Sequence, residues 1–271
     1  MMRSFLFVPG DRPDRIAKAG TRGADAIILD LEDAVADTAK PAARAALKAS
    51  AETIRATGTA VALRINAPWR LALADIDAAL EAGIDLLVVP KVADAARLAV
   101  LSEMIGDGPA RLIALIESPA ALPHLPAITA MERVAGLALG SEDFSLELGA
   151  PPTPRSLDLP CRLIALAAAS RRLMALGLPL SLAEYRDLAA YGAAADDARA
   201  VGMTGALCIH PDQVAVINRA WRPDAAALNK ARSVLTAWDE AQARGDVVIA
   251  LDGRMIDLPV VERARRLLQN N

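Results

Sequence analysis

Seven short aliphatic and β-branched runs recur along the chain: SFLFVPG, AIILDLED, AVALRINA, DLLVVPK, LIALIES, VAGLALGSED and GALCIHP. Near-continuous apolar runs suit strands covered on both faces, as in a parallel sheet. Between them lie alanine-rich helical stretches, at Lys40 to Ala56, Leu73 to Ala82, Ala93 to Ile105 and Leu163 to Leu176. Strand-helix units of about 30 residues in succession point to repeated βα units. A weaker run, PLSL at residues 179 to 182, supplies an eighth strand between the sixth and the last. Eight units are what a (β/α)8 TIM barrel requires. The competing arrangement is a doubly wound open sheet, but no G-x-G-x-x-G turn follows any strand.

The chemically capable residues fall at the C-terminal ends of these strands. Pro9-Gly10 ends the first, Glu32-Asp33 the second, Arg64 and Asn66 the third, and Pro90-Lys91 the fourth. Glu117-Ser118 ends the fifth, Gly140 to Asp143 the sixth, and His210-Pro211 the last. In barrels that end is the catalytic face, so one pattern supports both the fold and an enzyme.

Composition narrows the partners. With 271 residues, 54% of them hydrophobic, the chain can bury a large core. A net charge of -3 with interspersed signs argues against nucleic acid and against a polybasic membrane patch. Cys161 and Cys208 lack the spacing of a zinc site or a disulfide framework, and a reducing cytoplasm is the simplest compartment. The apolar core of MMRSFLFVPG is too short for a signal peptide, and no run reaches the roughly 20 residues of a membrane span.

The tail has a different organisation, dividing the chain into a barrel over residues 1 to 222 and an extension over 223 to 271. Ala225 to Arg244 reads as an amphipathic helix with Gly245 as its C-cap. VVIALDGRMIDLP then gives a hairpin around Asp252-Gly253, and Pro259 opens a last helix. Such an appendage suits a flap or an oligomer contact.

Several groups at the strand ends could carry chemistry. Glu117 and Asp143 follow adjacent strands and could share a hard cation, or serve separately as loop acids and helix caps. Arg64 could meet an anionic substrate or a developing enolate oxygen, or pair with the acids of strand two. Those acids sit in AIILDLEDAV, where alternation puts Asp30 and Glu32 on one side while Asp33 begins the loop. Lys91 reads as a rim salt bridge or a Schiff-base lysine, and His210 as a loop-orienting residue or a base. Asp257 could cap the last helix or carry a proton on a movable flap.

Taken in order, RSFLFVPGDRPDRIAKA, GADAIILDLEDAV, LRIN, VVPKV, LIALIES, VAGLALGSEDFSLELGA, CIHPDQV and DGRMIDLPVVERA resemble the citrate lyase β-like group of the HpcH/HpaI aldolase superfamily. The resemblance spans residue 3 to about 264. It implies a magnesium-dependent barrel, commonly a homotrimer, that makes or breaks a carbon-carbon bond beside a thioester. By motif it assigns magnesium to Glu117 and Asp143, substrate contact to Arg64, and the substrate carboxylate to backbone N–H groups around Gly140, Ser141 and Glu142. Glu32 and Asp33 then lie beside the metal, binding its waters or orienting Arg64. Asp257 matches the acid that moves a proton at the acetyl carbon, delivered to a neighbouring subunit. Arg3 and Lys18 are candidates for coenzyme A phosphates.

Partners implied by the resemblance are an acyl-CoA, or a thioester on an acyl carrier, and a 2-oxo acid. Citramalyl-CoA or malyl-CoA would give acetyl-CoA plus pyruvate or glyoxylate. Two departures stand out: Gly205-Ala206 replaces the family's common glycine-lysine, and Leu180-Ser181 replaces an isoleucine-aspartate pair. They leave open an aldolase acting on free 2-keto acids, or a non-catalytic keto-acid-binding accessory subunit.

Overall fold

In the computed structural model, residues 2–243, 245–246 and 248–269 are described. The expected tail helix therefore loses Arg244, which lies outside the described residues. The chain divides into two compact units, one over 2–221 and one beginning at Arg222.

The first unit is a barrel of eight parallel strands. They are β1 (Ser4–Pro9), β2 (Ala26–Asp30), β3 (Ala60–Arg64), β4 (Leu86–Val89), β5 (Arg111–Ile116), β6 (Val134–Leu139), β7 (Met174–Leu176) and β8 (Ala206–Cys208). Each strand from β2 to β6 pairs with the next in sequence, and β1 pairs with both β2 and β8. Closure between β7 and β8 rests on Thr204 N donating to Ala175 O at 2.7 Å and Gly177 N donating to Gly205 O at 3.0 Å.

Alternation along these strands separates two cores. Phe5, Ile28, Val88, Ile113, Leu115, Leu176 and Leu207 fill the barrel interior, with Phe7 and Leu182 packed on them. The opposite faces, including Ile27, Leu29, Leu63, Leu87 and Leu112, pack under the surrounding helices. The register Asp30↔Arg64 between β2 and β3 places an acid directly beside a base at the mouth.

Strand seven corrects the sequence expectation. It is Met174–Leu176, paired with Gly136–Ala138 of β6, and the PLSL segment follows it as a loop. Pro179 has no N–H to give a ladder, whereas Met174-Ala175-Leu176 meets β6 in register. The helix expected over Leu163 to Leu176 instead spans Pro154–Ser170. Arg172, at φ 58°, turns the chain out of it and into β7.

The C-terminal unit holds a helix over Ala225–Gln242, a hairpin of Ile249–Leu251 and Arg254–Ile256, and a helix over Leu258–Gln269. Asp252 at φ 51° and Gly253 at φ 72° form the expected tight turn. Ala231, Val234, Trp238, Ile256, Val261 and Ala264 make its own core. Among the described residues no helix is long and apolar enough to cross a membrane.

Barrel closure depends on close backbone approach. A Cβ at Gly205 would drive into the backbone of Arg3, whose carbonyl accepts the N–H of Ala206. Gly205→Ala should cost about 1–3 kcal/mol of stability, read as a lowered midpoint in urea unfolding; an unchanged midpoint would show that the seam is not tightly packed.

Candidate active site

At the mouth of the barrel the side chains of β2 and β3 form one ionic cluster. Arg64 Nε donates to Asp30 Oδ1 at 2.7 Å and its Nη2 to Asp30 Oδ2 at 2.6 Å, a bidentate pair. Nη1 lies 3.2 Å from Asp33 Oδ2 and 3.0 Å from Glu32 Oε2. The guanidinium also stands 5.0 Å above the ring of Phe7. Burial opposes the charge on Arg64, but Asp30, Glu32 and Asp33 together hold it protonated. Three of its five N–H groups are thus directed at strand-two acids. One N–H on each terminal nitrogen remains for the pocket.

The loop after β2 is pinned from beneath. Lys40 is buried and donates to the carbonyls of Leu31 and Glu32, each at 2.9 Å, and to Asn66 Oδ1. Asn66 donates through both its nitrogens to Asp75 Oδ2 at 2.7 Å, and Asp75 Oδ1 accepts from Arg44. Nothing in the spacing of Lys40 and Asp75 marks them as partners of Asn66; only the folded loops bring the three together.

Across the mouth, Glu117 is buried and its Oε2 accepts the backbone N–H of Lys91 at 2.7 Å. Lys91 adopts φ 55°, a left-handed conformation for a residue with a side chain, and its ammonium pairs with Asp143. Burial pushes the Glu117 carboxyl up, and the charge of Asp143 adds to this. Gly140 makes room for the Glu117 side chain, since a Cβ there would lie 2.5 Å from Glu117 Cγ. Ser141, Glu142 and Asp143 open the helix Ser141–Leu148, so its first N–H groups point at the mouth.

These residues share a cavity of about 150 Å³ lined by Phe7, Asp33, Arg64, Leu115, Glu117, Gly140 to Asp143, Leu182 and Leu207. Glu117 and Asp143 also line a neighbouring cavity of about 620 Å³, with Lys91 and Leu146. Two carboxylates therefore stand between two spaces. The structure thus gathers Arg64, Glu117, Gly140, Ser141, Glu142, Asp143 and Asp33 in one pocket, with Glu32 against Arg64.

Other expected residues sit elsewhere. Arg3 precedes β1 and Lys18 is in the last turn of the helix Pro13–Ala19, so the structure does not bring either to this pocket. Their backbone positions belong to the N-terminal end of the barrel. Asp257 belongs to the C-terminal unit, where its Oδ1 accepts the N–H of Val260 at 3.3 Å. His210 caps the helix Pro211–Ala220, accepting from Asp212 N, and stacks on Tyr185 at 5.1 Å. The expected pairing of Arg64 with the strand-two acids is present, and Asp30, for which no site role was expected, is its bidentate partner.

Five acids, Asp30, Glu32, Asp33, Glu117 and Asp143, face two bases, Arg64 and Lys91, in this cluster. Glu32 Oε2 lies close to Arg64 but out of line for a hydrogen bond, and stays buried and unsatisfied. Burial pushes its carboxyl up to about 8, against Arg64 and with help from Asp33, Glu117 and Asp30. The cluster therefore suits an added cation. Among the described residues no three acidic, imidazole or thiol groups converge to hold a metal alone. Magnesium fits that geometry, because one or two carboxylates suffice when waters and substrate oxygens complete its shell.

A carboxylate pair with one member buried, a guanidinium and a helix N-terminus at the top of a (β/α)8 barrel define a metal-assisted enzyme of anionic substrates as a class. The family model for HpcH/HpaI aldolase/citrate lyase matches residues 3–211, and the chain belongs to that family. It is 33% identical to a citrate lyase subunit beta-like protein of Deinococcus radiodurans, covering 100% of this chain and 97% of that one. It is 32% identical to a (3S)-malyl-CoA thioesterase of Cereibacter sphaeroides, over 98% of this chain and 93% of the relative. Its fold matches CitE of Mycobacterium tuberculosis, solved with magnesium, acetoacetate and coenzyme A, at a TM-score of 0.80. That match has 32% identity and covers 99% of this chain and 97% of the other.

Without added metal, the raised Glu32 carboxyl makes stability depend on pH. The folded state keeps this proton up to about 8, whereas the unfolded chain loses it near the ordinary 4.5. Stability is then fullest below that lower value and drains away as pH rises through the upper one. Metal-free protein should melt at falling temperature from about pH 5 to about pH 8, and Glu32→Gln should flatten the slope. A slope that Glu32→Gln leaves intact would place the source elsewhere.

Proposed function

We propose that this chain is a magnesium-dependent lyase that cleaves, or in reverse forms, a β-hydroxyacyl thioester. Its products are acetyl thioester and a 2-oxo acid. The observation that carries the reading is the convergence of Arg64, Glu117, Asp143 and the first turn of the helix Ser141–Leu148 on one pocket. Family membership and magnesium in the solved structure of a relative support the same chemistry.

Glu117 and Asp143 would hold the magnesium ion, with Lys91 displaced from Asp143. The ion supplies Lewis acidity that lowers the pKa of the substrate hydroxyl and stabilises the carbonyl being formed. Backbone N–H groups of Ser141 and Glu142 bind the substrate carboxylate at the positive end of the helix, whereas that of Gly140 is already given to Ile116 O at 3.1 Å. Glu32 and Asp33 fix Arg64 so that its two unengaged N–H groups face the thioester oxygen. When the carbon-carbon bond breaks, its electron pair becomes a thioester enolate, and Arg64 stabilises that oxygen. The hydroxyl proton passes to solvent as the carbonyl forms, and Asp257, protonated from solvent, delivers one to the acetyl carbon, so the proton count is unchanged.

This last step places Asp257 on the C-terminal extension, residues 223 to 271, of a neighbouring subunit in a homotrimer, acting as a flap. The larger cavity beside Glu117 and Asp143 offers space for the thioester arm of an acyl-CoA or an acyl carrier protein. Citramalyl-CoA and malyl-CoA are the substrate class that this arrangement fits.

The test combines magnesium, several acyl-CoAs and pyruvate or glyoxylate, following condensation, cleavage and hydrolysis by mass spectrometry. Condensation and cleavage are expected, and Glu117→Ala or Asp143→Ala should lower both by at least roughly a hundredfold. Hydrolysis with no carbon-carbon chemistry would replace the lyase reading with a thioesterase. Asp257→Asn should slow exchange of the acetyl protons in deuterated water while magnesium affinity stays unchanged. Exchange at the wild-type rate would remove Asp257 from the proton transfer.

A further inference from the structure

We infer that the pocket selects a 2-oxo acid bearing a small apolar substituent, of which pyruvate is the simplest, and that Leu182 is its specificity-determining residue. The inference rests on the lyase reading above, and it names the oxo acid which that reading leaves open.

Leu182 is held over the cavity by its backbone. Its N–H lies 3.1 Å from Ser141 Oγ and 3.0 Å from Glu142 Oε1, and its carbonyl accepts from Gln213 Nε2 at 3.0 Å. Ser181 Oγ donates to the same Glu142 oxygen at 2.7 Å. Gln213 is itself buried, with its Oε1 accepting the N–H groups of Ile209 and His210. The Leu180-Ser181 departure thus has a structural consequence: Ser181 donates a hydrogen bond to Glu142, where an aspartate would set a second negative charge against it.

The side chain so placed completes an apolar wall. Leu182 lines the cavity with Phe7, Leu115 and Leu207, and it packs on the interior core of the barrel. The rest of the lining is Asp33, Arg64, Glu117 and Gly140 to Asp143, in which Arg64 is the one base. Three acids already pair with it. A 2-oxo acid uses its carboxylate at the helix N-terminus, and its substituent then meets the apolar wall or the acids. A methyl group gains from contact with Leu182 and Leu207. A second carboxylate, as in oxaloacetate, would meet a lining whose one base, Arg64, is already paired with three acids, and would face Glu142. A hydrogen, as in glyoxylate, leaves the wall unfilled.

Calorimetric titration of the full chain with magnesium and each acid separately tests this. Pyruvate should bind about tenfold more tightly than glyoxylate and more tightly than oxaloacetate. Leu182→Ala should erase most of the preference over glyoxylate, and Leu182→Arg should reverse that between pyruvate and oxaloacetate. The urea midpoint of each variant shows that it folds. Tighter binding of oxaloacetate or glyoxylate by the wild type overturns the inference. So does equal weakening of pyruvate and glyoxylate by Leu182→Ala. If none of the three acids binds with magnesium, the lyase reading fails as well, so the two failures are distinct.

Discussion

Closing eight parallel strands into a barrel forces the ends of all eight toward one mouth, and here five carboxylates and two cations arrive together. Charges of one sign in a partly buried space repel one another strongly, and burial alone disfavours each of them. The protein relieves part of this with the bidentate Asp30–Arg64 pair and with Lys91 on Asp143. It leaves Glu32 and Glu117 with raised carboxyls. An added divalent cation answers what remains.

Holding such a cluster requires support that has no chemistry of its own. The buried chain of Lys40, Asn66 and Asp75, with the partly buried Arg44 at its end, fixes the loops after β2 and β3, so that Glu32 and Asp33 keep their place beside Arg64. Gly140 lets Glu117 lie against the backbone of β6. On the far side, Ser181 and Gln213 hold the loop after β7 against Glu142. Glu142 therefore acts with its side chain as a clip, while its N–H belongs to the helix terminus facing the pocket.

Much of this was legible in the chain. Continuous apolar strands with polar residues at their C-terminal ends specify the barrel and its active face, because the sheet geometry allows few other outcomes. Ordered motifs single out Glu117, Asp143 and Arg64, which the structure brings to one pocket. Strand seven was not legible, because three residues, Met174 to Leu176, look like the end of the alanine-rich helix that precedes them. Their strand state comes from pairing with β6, a contact that no local propensity encodes. Lys40 and Leu182 were illegible for a related reason, since their partners lie in other loops and meet only after closure.

If magnesium binding relieves the crowding of carboxylates at the mouth, it must change how many protons they hold, and those protons can be counted. Magnesium is titrated calorimetrically at pH 7 in buffers of different ionisation enthalpy. Net proton release is expected, because the cation beside Glu32 favours loss of the proton that burial holds on that carboxyl up to about 8. Binding heats that do not change with the buffer, meaning no proton released, would contradict it.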